Sequence, residues 1–163
     1  MNINKLIELL YLPITNENII TKLKELKIPQ PVIDDSYYED NEIEVSDEED
    51  KIFFTFEEIT NSKHNNSGIP ILSNITLAYD LNVTGFYNIN EEDNYTSIVE
   101  YIGKEADYVL KVLPNMRLWI LSYNNLFNYT LSIYFEKKKL QKVQSIVLSI
   151  LEEDDPMEGF LLL

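Results

Sequence analysis

Apolar residues recur along this chain first at helical spacing and then at two-residue spacing. The switch between the two periods happens twice, dividing the chain into halves of similar grammar. Residues 3–11 and 16–26 are predicted to be short helices. In the second, Ile19, Ile20, Leu23 and Leu26 fall at i, i+1, i+4 and i+7, one apolar stripe. Thr15 or Asn16 can serve as its N-cap, and Pro29 and Pro31 are expected to end it. Strands are then predicted over 32–38, 42–45 and 51–56. In the middle one Ile43 and Val45 point inward and Glu42 and Glu44 outward. In the last, Ile52, Phe54 and Phe56 share one face and Phe53 and Thr55 the other. A polar loop spans 60–68, a strand 69–79 has Ile75, Leu77 and Tyr79 in alternation, and 80–93 is turn-rich.

The second half repeats the plan. A short helix is predicted over 96–102, with Asn94 or Thr96 as cap and Gly103 as stop. Strands follow at 117–123 and 128–135, the latter with Tyr129, Leu131, Ile133 and Phe135 on one face. After a turn at 136–139, residues 140–151 return. Val143, Ile146, Val147 and Ile150 there have helical spacing, but the β-branched content favours a strand. The sum is an α+β fold in a single domain, 1–163, with antiparallel sheet and short helices packed on one face. It reads as two tandem helix–meander halves, 1–80 and 94–151.

Charge sharpens this picture. Of 163 residues, 28 are Asp or Glu and 13 are Lys or Arg, giving a formal net charge of −15 and a pI near 4.3. Direct binding to nucleic acid or to an anionic membrane is not expected of such a chain. With no cysteine there is no disulfide, thiolate metal site or thiol nucleophile. His64, the single histidine, lies in a polar loop, and the four glycines form no phosphate-cradling motif. No catalytic residue, metal site or cofactor is therefore assigned. The N-terminal stretch lacks the features of a signal peptide, and no run approaches the ~18 apolar residues a membrane span needs. A cytoplasmic location is expected.

The acids are concentrated. Asp34, Asp35, Glu39, Asp40, Glu42, Glu44, Asp47, Glu48, Glu49, Asp50, Glu57 and Glu58 lie in one stretch with a single cation, Lys51. Aromatic and β-branched residues run through it, unlike a disordered acidic tail. A folded acidic surface weakens the compact state by self-repulsion, and its simplest use is a partner with a basic face. The residues assigned to that contact are Asp34, Asp35, Tyr37, Tyr38, Glu39, Asp40, Glu42, Glu44, Asp47, Glu48, Glu49 and Asp50. The two tyrosines are included as interface anchors. The C-terminal EEDDPMEGFLLL is a second acidic cluster with an apolar end, open to three readings: a frayed tail, a segment docked on the sheet, or a partner contact.

The opening KLIELLYLP, the segment IITKLKELKIPQP, the acidic stretch and KIFFTFEE together resemble a bacterial family of small cytosolic immunity proteins encoded beside secreted antibacterial toxins. The second half, TSIVEYIG, RLWILSY, YTLSIYFE and LQKVQSIVL, is similar to the helix–three-strand unit of those proteins and of BamE-like lipoproteins. The matching positions are Ile102 and Gly103 closing the helix, Trp119, Phe135 and residues 143–148. The chain departs from BamE in having no lipobox cysteine. The resemblance implies a non-enzymatic protein of interbacterial competition, of the kind that accompanies type VI secretion. Its expected partner is a cognate toxin with a basic active site, such as a nuclease. The alternative is an adaptor or chaperone for a secreted effector, which would bind without inhibiting.

Overall fold

The structure, a computed structural model, describes residues 1–34, 37, 41–59, 68–78, 89–109, 115–123, 127–136, 140, 142–150 and 161–162. The fold is α+β. Two helices open the chain, α1 (Ile3–Ile7) and α2 (Glu17–Glu25), and α3 (Tyr95–Ile102) precedes the second half. The strands are β1 (Glu42–Ser46), β2 (Ile52–Glu57), β3 (Ile71–Ala78), β4 (Tyr108–Val109), β5 (Met116–Tyr123), β6 (Phe127–Phe135), β7 (Val143–Ile150) and β8 (Leu161–Leu162). They form one sheet in the order β1-β2-β3-β7-β6-β5-β4-β8, and every neighbouring pair is antiparallel. Two meanders, β1-β2-β3 and β5-β6-β7, thus meet through their last strands.

Helices α1, α2 and α3 each begin on an asparagine. Asn2, Asn16 and Asn94 accept from backbone N–H groups inside their first turns, satisfying donors the helix leaves open. Asn94 and Ser97 complete a reciprocal capping box. Gly103, at φ 81°, closes α3 in the left-handed conformation, and its N–H donates to the Val99 carbonyl at 2.8 Å. The end of α2 departs from expectation. Its stop precedes the prolines: Lys27 takes the left-handed conformation at φ 57°, and the Ile28 N–H reaches back to the Leu23 carbonyl at 2.9 Å. This is a Schellman closure with lysine in the glycine position, held by burial of Ile28.

The segment joining α1 to α2 is strapped to the sheet. Tyr11 N–H donates to the Leu72 carbonyl, Leu72 N–H to the Leu12 carbonyl, and Ile14 N–H to the Pro70 carbonyl, all at 2.9–3.0 Å. It occupies the side of β3 that β7 pairs with only from Asn74 onward. One face of the sheet carries the core. Ile52, Phe54, Phe56, Leu72, Ile75 and Leu77 pack there with Trp119, Leu131, Ile133 and Leu148, under Leu6, Ile19, Leu23 and Ile98 of the helices. Burying each such side chain contributes about 1.5–3 kcal/mol. A bulge keeps this face continuous. Thr55 opposes Asn74 but Phe56 opposes Leu72, so Ser73 is the extra residue and Leu72 stays inside with Phe56. Ser73 is buried, and its hydroxyl donates to the Thr55 carbonyl at 3.1 Å.

One expectation is corrected, and two open readings are decided. Of the strand expected over 32–38, the described residues, 32–34 and 37, are not in a strand. Val32 and Ile33 are 67% and 43% exposed. The Asn41 N–H donates to the Tyr37 carbonyl at 2.7 Å, a helical-turn bond. Residues 143–150 are a strand and not a helix, as their β-branched content favoured. The C-terminal apolar end supplies β8, paired with β4, which is the sheet-docked reading of that segment. The loop containing His64 and the acidic run at 151–155 lie outside the described residues.

Candidate protein-binding surface

The acidic surface is built on the β1–β2 hairpin, at one edge of the sheet. The connection, 47–51, is shaped by Asp47. Its Oδ1 accepts from the backbone N–H groups of Lys51 at 2.7 Å and Ile52 at 2.9 Å. Its own N–H donates to the Ile52 carbonyl at 3.2 Å, and its carbonyl accepts from Asp50 at 3.1 Å. Asp50 sits in the left-handed conformation at φ 53° and accepts from the Ser46 hydroxyl at 2.7 Å. An aspartate satisfying consecutive backbone donors is standard turn chemistry. Asp47 therefore serves the hairpin first. Lys51 forms an ion pair with Glu49, which partly neutralises the turn.

The other assigned residues divide. Glu42, Glu44, Glu48, Glu49 and Asp50 are exposed, as is Asp34. Asp35, Tyr38, Glu39 and Asp40 lie outside the described residues. Tyr37 does not present a ring to a partner. It is 2% exposed, and its hydroxyl donates to Glu58 Oε2 at 3.4 Å. An amphipathic residue expected as an anchor instead roots the segment leading into β1.

The register adds a residue that the sequence pattern missed. Glu42 stands directly opposite Glu57 and Glu44 opposite Thr55, on the face away from the core. The Asp47–Ile52 backbone bond makes that pair a hydrogen-bonded one. Pairs then alternate along the ladder, so Glu42–Glu57 and Glu44–Thr55 are non-hydrogen-bonded pairs, where side chains come closest. Like charges directly opposite are destabilising. No cation faces either carboxylate among the described residues. Alternation along β2 could have placed Glu57 outward, but only the register shows what it meets.

The acids before α3 behave differently. Asp93 is buried, its carboxylate accepting from the Asn90 N–H at 2.8 Å and from the Ser97 and Tyr101 hydroxyls at 3.1 Å. The bond it accepts from Tyr101 holds that phenol's pKa above its usual value. Glu91 and Glu92 are paired with Lys142, whose ammonium pKa is raised, first by its bond to Glu91. These carboxylates serve the fold. An open apolar groove of ≈ 420 Å³ lies elsewhere, between α2 and residues 30–33, lined by Ile14, Ile20, Leu23, Pro31, Val32 and Ile33. Among the described residues no group of His, Cys, Asp and Glu is arranged to hold a metal ion, and no helix is long and apolar enough to cross a membrane. Comparison with protein-family models, curated proteins and solved structures finds no match for this chain.

Proposed function

We propose that this chain is a non-enzymatic immunity protein, which binds a cognate antibacterial toxin and blocks its basic active site with the acidic β1–β2 hairpin. The observation that supports this reading is the outward row of Glu42, Glu44 and Glu57, with Glu48 beyond it, on an ordered hairpin. These carboxylates repel one another and satisfy no donor of the fold among the described residues, so a cation from outside relieves them. The target chemistry is an enzyme whose own substrate is anionic, such as a nuclease, because such sites gather Lys and Arg. With a net charge of −15, complementary fields would raise association on the order of 10- to 1,000-fold at low salt.

A strain lacking this gene, co-cultured with its parent, tests the proposal. The expected result is that parental cells kill the deletion strain and that expressing the chain restores survival in proportion to its amount. Equal survival of the two strains overturns it. One observation favours a second reading, the adaptor: the groove beside α2 would seat an apolar side chain of a client. An adaptor would raise the client's level without lowering its activity, so purified toxin assayed with stoichiometric chain separates the two.

A further inference from the structure

The proposed immunity role leaves open how a basic partner would be held, and the inference here rests on that reading. Among the described residues β1 pairs only with β2, so its other side is a sheet edge there. Because Asp47 bonds to Ile52, the residues turned toward β2 are Asp47, Val45 and Ile43. Glu42, Glu44 and Ser46 must then direct their backbone N–H and C=O groups away from the sheet, by the alternation of an antiparallel ladder. Their side chains also stand on the face away from the core, since Ile43 and Val45 pack against it. The edge thus combines a row of backbone groups unpaired among the described residues with a row of carboxylates, at the same residues.

We infer that β1 accepts an extended strand of a basic partner protein, added antiparallel to the sheet edge, with Lys or Arg side chains opposite Glu42 and Glu44. Charge decides the occupant. A second copy of this chain pairing through β1 would set glutamates against glutamates, which cross-strand pairing disfavours. A neutral strand would gain the backbone bonds but leave the Glu42–Glu57 repulsion in place. A strand with cations at alternate positions gains both, because residues directly opposite share a face. Main-chain bonds supply affinity and alternate side chains supply selectivity in this mode of recognition. The glutamates also bar other edges from the site.

Antiparallel addition makes a specific demand. A partner residue opposite Glu44 must turn its own N–H toward β1, so the lysines of an added strand donate and the intervening residues do not. The probe is a short peptide of alternating threonine and lysine in two forms, N-methylated at every lysine or at every threonine. Charge and methyl count are identical. Titrated into the isotope-labelled full chain, the threonine-methylated form should bind at least about tenfold tighter, since several backbone bonds are at stake. The amide signals of Glu42, Glu44 and Ser46 should move. Glu44→Pro removes an N–H that points away from β2, so the fold should persist and the preference vanish. Glu42→Pro serves if that variant does not fold. Glu44→Gln should lower affinity but keep the preference. Equal affinity of the two forms, the reverse order, or no binding by either overturns the inference. Strand pairing without killing of the deletion strain would instead remove the immunity role and leave the edge site. Rescue of that strain by Glu44→Pro would leave the immunity role and remove the edge.

Discussion

Asp47→Ala should destabilise this protein by about 1–2 kcal/mol although it removes one of its many mutually repelling charges. The side chain makes two bonds, to the N–H groups of Lys51 and Ile52, at 2.7 and 2.9 Å. A bond to a charged acceptor contributes about 1.5–3 kcal/mol when well formed and less where water competes. Asp47 is half-buried, which places the pair of bonds near the low end, about 2–3 kcal/mol together. Relief of repulsion from Glu48, Glu49 and Asp50 returns a part, on the order of 0.5–1 kcal/mol at an exposed site. For a chain of this length each kcal/mol moves the melting temperature by about 2–4 °C, so a drop of roughly 2–8 °C is expected. Asp47→Asn keeps an oxygen acceptor and should lose less than half as much. Glu48→Ala, in the same turn but with no bond to the backbone among those described, should be neutral or slightly stabilising. Thermal melts read by circular dichroism, at low and moderate salt, check all three. If Asp47→Ala melts with wild type, or if Glu48→Ala costs as much as Asp47→Ala, the division between structural and unsupported carboxylates is wrong.

Other consequences can be measured alongside. Phe54→Ala, Phe56→Ala and Trp119→Ala remove side chains that are 0% exposed; each should cost about 3–5 kcal/mol by urea unfolding, and a cost below about 1 kcal/mol would contradict the assigned core. Lys27→Gly should stabilise by roughly 0.5–1 kcal/mol, because the left-handed backbone at the end of α2 strains any residue with a Cβ; destabilisation would argue against the Schellman closure. Glu57→Lys turns the Glu42 pair from repulsive to attractive and should raise the melting temperature slightly while weakening toxin binding, most at low salt; unchanged binding would detach the hairpin from the interface. The bond Tyr101 donates to Asp93 is intact below pH 10 and is lost as pH rises through the raised phenol pKa. An ultraviolet difference titration of wild type against Tyr101→Phe should show that phenol ionising above 10, and ionisation at or below 10 would speak against the bond.

Much of this architecture was legible because period-two alternation ran true where one face is buried. Phe54 and Phe56, then Leu131, Ile133 and Phe135, lie inside as their spacing required. Asparagine caps and Gly103 marked α3 at both ends. The failures have local causes. Tyr37 and the residues before it looked like a strand because aromatic and β-branched residues cluster there, but the helical turn from Tyr37 to Asn41 overrides that propensity. β4 and β8 are two residues each, too short to carry a period. In the candidate surface, composition located the hairpin but could not divide its acids. Asp47 and Glu48 are adjacent and chemically alike; only the position of the Lys51 and Ile52 N–H groups separates a turn-former from a free carboxylate. Likewise Tyr37 and Tyr38 were equivalent in sequence, and only the structure shows that Tyr37 is buried, with its hydroxyl on Glu58 just past β2.

That division narrows what the net charge of −15 is for. Asp93 holds the cap of α3, Asp47 the β1–β2 turn, and Glu91 and Glu92 a shared lysine. Each has a reason inside the fold. Glu42 and Glu44 have a partial reason, since charge on an edge strand discourages aggregation. Glu57 has neither reason. It sits on β2, where no edge needs protection, and it meets Glu42 at the closest type of cross-strand pair. Threonine or lysine there would satisfy the strand pattern at lower electrostatic cost. On the proposed reading, this carboxylate pair would be relieved by a cation of the partner. Because the repulsion lies across two strands beside that edge, such a cation would have to reach both Glu42 and Glu57. An added strand opposite Glu42 is the arrangement that brings one there.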